Sequence, residues 1–88
     1  MDRENIPVAS VQTLLSIVEY LEATGPAGVT EIADAVDSSK STVHNHLTTL
    51  REDGYVVNDG GQYRLGLRFL GIGESTRLQT DLYEIARP

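Results

Sequence analysis

A mainly α-helical domain with one small β-hairpin is the fold predicted for this chain of 88 residues. Three observations carry the prediction. Apolar residues recur at helical spacing in three separate segments up to Asp53. The pattern then switches to β-prone residues on either side of Asn58-Asp59-Gly60-Gly61, a strong hairpin signal. A last stretch with helical spacing follows. Helix, helix, tight turn, helix, hairpin, helix is the order of a winged helix-turn-helix: a three-helix core, a wing and a C-terminal linker helix.

Residues 1–9 form a polar lead with a breaker at Pro7. The first helix is expected to open at Ser10 as N-cap. Val11, Leu14, Leu15, Val18 and Leu21 follow the amphipathic stripe, Ile17 widens it, and Thr24-Gly25-Pro26 ends it. Ala27-Gly28-Val29 reads as a connector. The second helix is expected to start with Thr30 as N-cap and Glu31 in the first turn, where an acid suits the helix dipole. Ile32, Ala33 and Val36 form its buried side. Asp37-Ser38 is turn chemistry, with Ser38 able to cap the third helix. That helix spans about 39–53, buries Val43, Leu47 and Leu50, and ends at Gly54 as the residue past its C-cap. Tyr55-Val56-Val57 and Gln62-Tyr63-Arg64-Leu65 are the expected strands. A fourth helix starts near Leu67, carries Leu70, Leu78, Leu82 and Ile85, and is expected to loosen at Gly71 and Gly73. Residues 1–66 thus make the winged head, and 67–88 the linker helix that follows it.

Composition narrows the function classes. There is no cysteine, which removes disulfide staples, thiol catalysis and Cys-based zinc fingers. No apolar run approaches the ~20 residues of a membrane span, and the N-terminus lacks the apolar core of a signal peptide, so a cytoplasmic protein is expected. A domain this small without staples often gains stability from a partner, which makes a dimer natural. The net charge is −6, which as a bulk number argues against nucleic acid. Its distribution matters more. Residues 1–37 hold seven acids and one base, whereas residues 38–73 hold four bases (Lys40, Arg51, Arg64, Arg68) and three acids. One Lys beside six Arg, with thirteen acids, resembles the bias of salt-loving archaea; an ordinary acidic bacterial protein is the alternative.

The third helix carries the chemistry. With Val43 at zero and ~100° per residue, Leu47 and Leu50 fall within about 40° of it. Ser41, Asn45, Thr48 and Glu52 fall on the opposite side, flanked by Thr42 and Thr49. Such short polar side chains can approach base edges in a major groove: Asn pairs with adenine, and Ser or Thr donates or accepts. Ser and Thr are poor helix-interior residues, so their density here needs a reason beyond a solvated face. Ser39, Lys40 and the free N–H groups at the helix start suit a phosphate. On the wing, alternation turns Arg64 away from Tyr63 and Leu65, toward a phosphate or plain solvent.

Residues 8–73 resemble the N-terminal DNA-binding domain of the IclR family of transcriptional regulators. The resemblance is carried by Ser10-Val11 through Leu14-Leu15, Thr30-Glu31-Ile32-Ala33, Lys40-Ser41-Thr42-Val43-His44, Leu47-Thr48-Thr49-Leu50, Gly54-Tyr55-Val56 and Tyr63-Arg64-Leu65-Gly66. It implies a winged helix that dimerises through its first and linker helices, with the third helix in the major groove and the wing on the backbone or minor groove. It also implies a small-molecule effector bound by a C-terminal domain. The tail Asp81–Pro88 reads as the lead-in to that domain, so the chain is expected to be an excised fragment or a stand-alone reader. Three departures stand out. Asp37, Ser38 and Ser39 occupy positions where the family often has Gly, an apolar residue and Pro. Asn45 stands where Arg is frequent, and His46, expected half-buried, where an apolar residue is common.

The expectation is therefore a sequence-specific transcription regulator acting as a dimer on a pseudo-palindromic duplex operator. Ser41, Thr42, Asn45 and Thr48 are the expected base readers. Thr30, Ser39, Lys40, His44 and Arg64 are the expected phosphate contacts. The apolar set Leu14, Ile17, Leu21, Phe69, Leu70 and Ile72 exceeds what a small core needs and is the candidate dimer face, with intramolecular packing as its alternative. A winged-helix protein-interaction module is the rival reading. No catalytic constellation, cofactor or metal is expected: His44 and His46 point about 160° apart around the helix and cannot share an ion.

Overall fold

The computed structural model describes residues 8–86; the polar lead with Pro7 and the last residues of the tail lie outside them. Four helices and one hairpin follow in order: α1 Ala9–Thr24, α2 Val29–Val36, α3 Lys40–Glu52, β1 Val56–Asp59, β2 Gln62–Leu65 and α4 Leu67–Ala86. This is the winged helix-turn-helix that the periodicity predicts.

The first two helices start earlier than their Ser and Thr suggest. Val8 is the N-cap of α1 and Gly28 that of α2, neither with a side-chain cap bond, so Ser10 and Thr30 sit inside the first turns. Ser and Thr prefer caps by about 1 kcal/mol, which packing of the following apolar face overrides. The third helix is capped by Ser39 rather than Ser38. Asp37, between α2 and α3, adopts the left-handed conformation at φ 54° that the tight turn demands. The end of α3 is a full Schellman motif. Gly54, at φ 80°, donates to the Arg51 carbonyl at 3.1 Å, and the Tyr55 N–H donates to that of Leu50 at 2.9 Å.

The strands pair antiparallel, Val56 opposite Leu65 through Asp59 opposite Gln62. The ladder therefore includes Asn58 and Asp59, which the sequence suggests as turn residues, and begins after Tyr55. Gly60 and Gly61 alone make the loop, at φ 63° and 89°. Two consecutive positive-φ residues give the turn whose twist matches the strands. The Asn58 side chain accepts from the Gly61 N–H at 2.9 Å. The connector before α2 joins the far edge of β2: Ala27 and Tyr63 exchange backbone hydrogen bonds at 3.0 and 2.8 Å.

Ile17, Leu21, Ala27, Ile32, Ala33, Val43, Leu47, Leu50, Val56 and Tyr63 form the core. Ile17 and Leu21, expected on the dimer face, are corrected to core residues. They are 0% and 3% exposed, because α2, α3 and the wing close over that side of α1. Leu14 is half-buried against the same core, while Val8, Val11 and Leu15 remain exposed. Outside the core, the Tyr20 hydroxyl donates to the Glu31 carboxylate and ties α1 to α2. That hydrogen bond, first, and partial desolvation hold the phenol above its usual value. The fourth helix runs unbroken through Gly71 and Gly73, against the expected loosening. Among the described residues, no helix is long and apolar enough to cross a membrane.

Candidate nucleic-acid interface

Val43, Leu47 and Leu50 seat α3 on the core, which turns Ser41, His44, Asn45 and Thr49 to solvent. Thr42 and Thr48 are half-buried at the margins of that face. The helix start is organised by Ser39. Its hydroxyl oxygen accepts from the Thr42 N–H at 3.0 Å, and the hydroxyl itself donates to the Thr42 hydroxyl at 2.9 Å. Thr42, an expected base reader, thus engages its side chain in the cap, while Ser41 and Asn45, with Lys40 and His44 beside them, stay exposed in the first two turns. The amides of Lys40 and Ser41 precede the first intrahelical bond, which Val43 makes to the Ser39 carbonyl at 3.0 Å. They point outward at the positive end of the helix dipole, beside the exposed Lys40 ammonium. Ser39→Ala removes both side-chain bonds and is expected to cost about 1 kcal/mol, read as a lower urea midpoint with unchanged slope.

The Thr49 hydroxyl donates to the backbone carbonyl of Asn45 at 3.0 Å, which turns the Thr49 side chain back onto its own helix. His46 is the residue whose role sequence reasoning missed. It is half-buried as expected, and its ring lies between a carbonyl of its own helix and one of α1. Nδ1 lies 2.7 Å from the Thr42 carbonyl oxygen and Nε2 lies 3.3 Å from that of Ser10. A neutral imidazole can donate to one of the two. No local signal reveals the Ser10 contact, which spans 36 positions.

On the wing, Arg64 is exposed opposite Val57, while Tyr63, its neighbour, is buried. Alternation along β2 therefore places Arg64 on the outer side. Asp59, exposed at the wing tip, carries the wrong sign for a phosphate. Thr30 is exposed in the first turn of α2. Of the remaining apolar set, Leu70 and Ile72 are 58% and 47% exposed. Phe69 is half-buried against the Tyr55 ring. Among the described residues, no group of three or more His, Asp or Glu gathers as for a metal ion.

Comparison with known proteins places this geometry. A family model described as the IclR helix-turn-helix domain matches residues 10–60, which span α1 to the wing tip. A probable HTH-type transcriptional regulator, ArcR of Halobacterium salinarum, is 32% identical over 81 residues, 91% of this chain and 31% of that protein. The chain thus spans about a third of the length of this curated relative. The crystal structure of an IclR transcriptional regulator from Alicyclobacillus acidocaldarius superposes with a TM-score of 0.75 at 25% identity, covering 81% of this chain and 30% of that one. The Zα domain of Carassius auratus PKZ, solved in complex with Z-DNA, superposes with a TM-score of 0.62 at 28% identity, over 66% of this chain and 98% of that one. The order of elements, the family match from α1 through the first strand of the wing, and these relatives lead to one assignment: the chain belongs to the IclR helix-turn-helix domain family.

Proposed function

We propose that this chain is the duplex-DNA-reading head of a transcription regulator that works as a dimer in the cytoplasm. The observation that carries the reading is the solvent face of α3, where Ser41 and Asn45 stand open beside an uncapped pair of amides, within a domain of this family. In the reading, α3 enters the major groove. Asn45 pairs with an adenine edge, and Ser41 and Thr48 contact neighbouring bases. Thr42 contributes chiefly by holding the helix start. Lys40, with the amides at the Ser39 cap, binds one phosphate; His44, Thr30 and Arg64 bind others, Arg64 from the wing. The Zα domain, whose fold is similar, was solved on Z-DNA, and the curated relative is named a transcriptional regulator. Both support DNA as the partner rather than a substrate to be turned over. Leu70 and Ile72 on α4, with Leu14 at the edge of α1, supply apolar surface for a second copy. An effector would act through a domain C-terminal to the winged head, as the greater length of the curated relative leaves room for.

Selection from a random-sequence duplex library, run at low and at multimolar salt, tests the reading. An enriched inverted repeat with half-sites ~34 Å apart, or a multiple of that, is expected. Few basic side chains serve the site, so affinity should fall only shallowly with salt, with a log–log slope of about −0.9 per phosphate neutralised. Asn45→Ala is expected to relax preference at one base pair of each half-site by ~1–3 kcal/mol. An unchanged sequence preference in that variant rejects Asn45 as a base reader. A folded dimer that enriches no duplex at any salt supports the protein-interaction alternative, for which the net charge of −6 is the favouring observation.

A further inference from the structure

We propose that Tyr55 is a positioning residue: it sets the direction in which α4 leaves the winged head and, through α4, the separation of the two recognition helices in the dimer. The proposal rests on the dimeric DNA-reading role above. The fourth helix has 20 residues, a length of about 30 Å. Every side chain from Leu70 to Ile85 is exposed, so the direction of α4 relative to the head is decided at its root. There the half-buried Tyr55 ring lies 5.1 Å from that of Phe69, centroid to centroid, tilted by 58°. The Arg68 guanidinium carbon lies 5.6 Å from the centroid of the same ring. Two consecutive residues in the first turn of α4 therefore grip one side chain of the head.

The backbone closes the same joint. The Gly66 N–H donates to the Tyr55 carbonyl at 2.8 Å, and the Phe69 N–H donates to the Gly66 carbonyl at 3.2 Å. Tyr55 is itself held to α3, because its N–H donates to the Leu50 carbonyl at 2.9 Å. A single residue thus links the recognition helix to the linker helix. The lever makes this consequential. A swing of ~10° at the root moves the far end of a 30 Å helix by about 5 Å, more than one base step of ~3.4 Å. Two heads joined through α4 engage both half-sites together only if their separation matches the operator.

The test uses the full chain. The inverted repeat selected by the unmodified protein is rebuilt with spacers lengthened or shortened one base pair at a time. Binding is then compared for the unmodified protein, Tyr55→Phe, Phe69→Ala and Arg68→Ala. Phe69 and Arg68 lie outside the buried core, and Phe69 packs on the Tyr55 ring of its own chain rather than beside Leu70 and Ile72 on the apolar surface for a second copy, so their variants are expected to keep the fold by circular dichroism and the dimer by sedimentation. The unmodified protein is expected to prefer one spacer by about tenfold or more. Tyr55→Phe, which keeps the ring, retains that preference. Phe69→Ala flattens it while binding to a single half-site is unchanged, and Arg68→Ala flattens it partly. A spacer profile unchanged in a folded, dimeric Phe69→Ala protein overturns the proposal. A second readout does not depend on DNA. The chain has no cysteine, so Arg51→Cys with Gln79→Cys carries one spin-label pair, diluted with unlabelled chain. Its distance distribution is expected to be narrow, and to broaden when Phe69→Ala is added. Equal widths overturn the joint even if no duplex is ever enriched, whereas broadening with no DNA binding leaves the joint standing and rejects the DNA-reading role.

Discussion

Ile17→Ala is expected to lower the unfolding free energy by about 2–5 kcal/mol, a large part of the ~5–15 kcal/mol that holds a domain together. Ile17 is fully buried and is among the largest side chains in the core. Truncation removes apolar contact and leaves a cavity beneath α2, α3 and the wing, where Ile32, Val43 and Leu47 are also fully buried. At ~4–8 °C per kcal/mol for a domain of this size, the melting point should fall by on the order of 10 °C or more. Melting at several protein concentrations separates a core role from an interface role. A dimer melts higher as concentration rises, but the gap between the unmodified protein and the variant should stay constant. A gap that closes at high concentration would return Ile17 to the interface. Leu70→Ala, at a site 58% exposed in the single chain, is the natural contrast.

Gly66→Ala is the second large effect. A Cβ at this position would stand 2.4 Å from the Gly54 carbonyl oxygen and 3.3 Å from the carbonyl carbons of Gly54 and Tyr55. These are backbone atoms, so no rotamer relieves the clash. Gly54 is itself committed to the Schellman turn at φ 80° and cannot step aside without undoing the end of α3. The chain must open between the wing and α4, weakening the 2.8 Å bond from Gly66 to Tyr55. Overpacking of this kind costs ~1–3 kcal/mol, measurable by urea unfolding. Gly71→Ala is expected to move the opposite way by up to ~1 kcal/mol, since a Cβ there meets nothing within 4 Å and α4 is helical throughout. Equal stabilities for the two variants would contradict the tight approach at Gly66.

Much of this architecture is legible along the chain because the signals are local. Val43, Leu47 and Leu50 recur at the helical period, and all three are buried. Gly60-Gly61 marks the hairpin because two positive φ angles in succession are accepted readily only by Gly, Asn and Asp. Ser41 and Asn45 are readable as solvent-facing for the same reason that Val43 and Leu47 are readable as buried: one helix, stepped at ~100° per residue, fixes both faces. Cap positions are less legible. At Ser10 and Thr30 the side-chain preference is worth only about 1 kcal/mol, and both helices begin two residues earlier.

The sequence by itself determined the order of elements, the buried stripes of α2 and α3, the hairpin turn and the polar face of α3; in α1 it also marked Val11 and Leu15, which remain exposed. All of these depend on residues within a few positions of one another. Tertiary structure alone decided which apolar residues the chain keeps for itself. Periodicity shows that Ile17 and Leu21 belong to an apolar face, but not whether that face meets the same chain or a partner. The packing of α2, α3 and the wing answers that. It also decided the pairing of His46 with Ser10 and of Tyr55 with Phe69. Contacts across elements depend on how helices and strands pack in space, a property that no local period encodes.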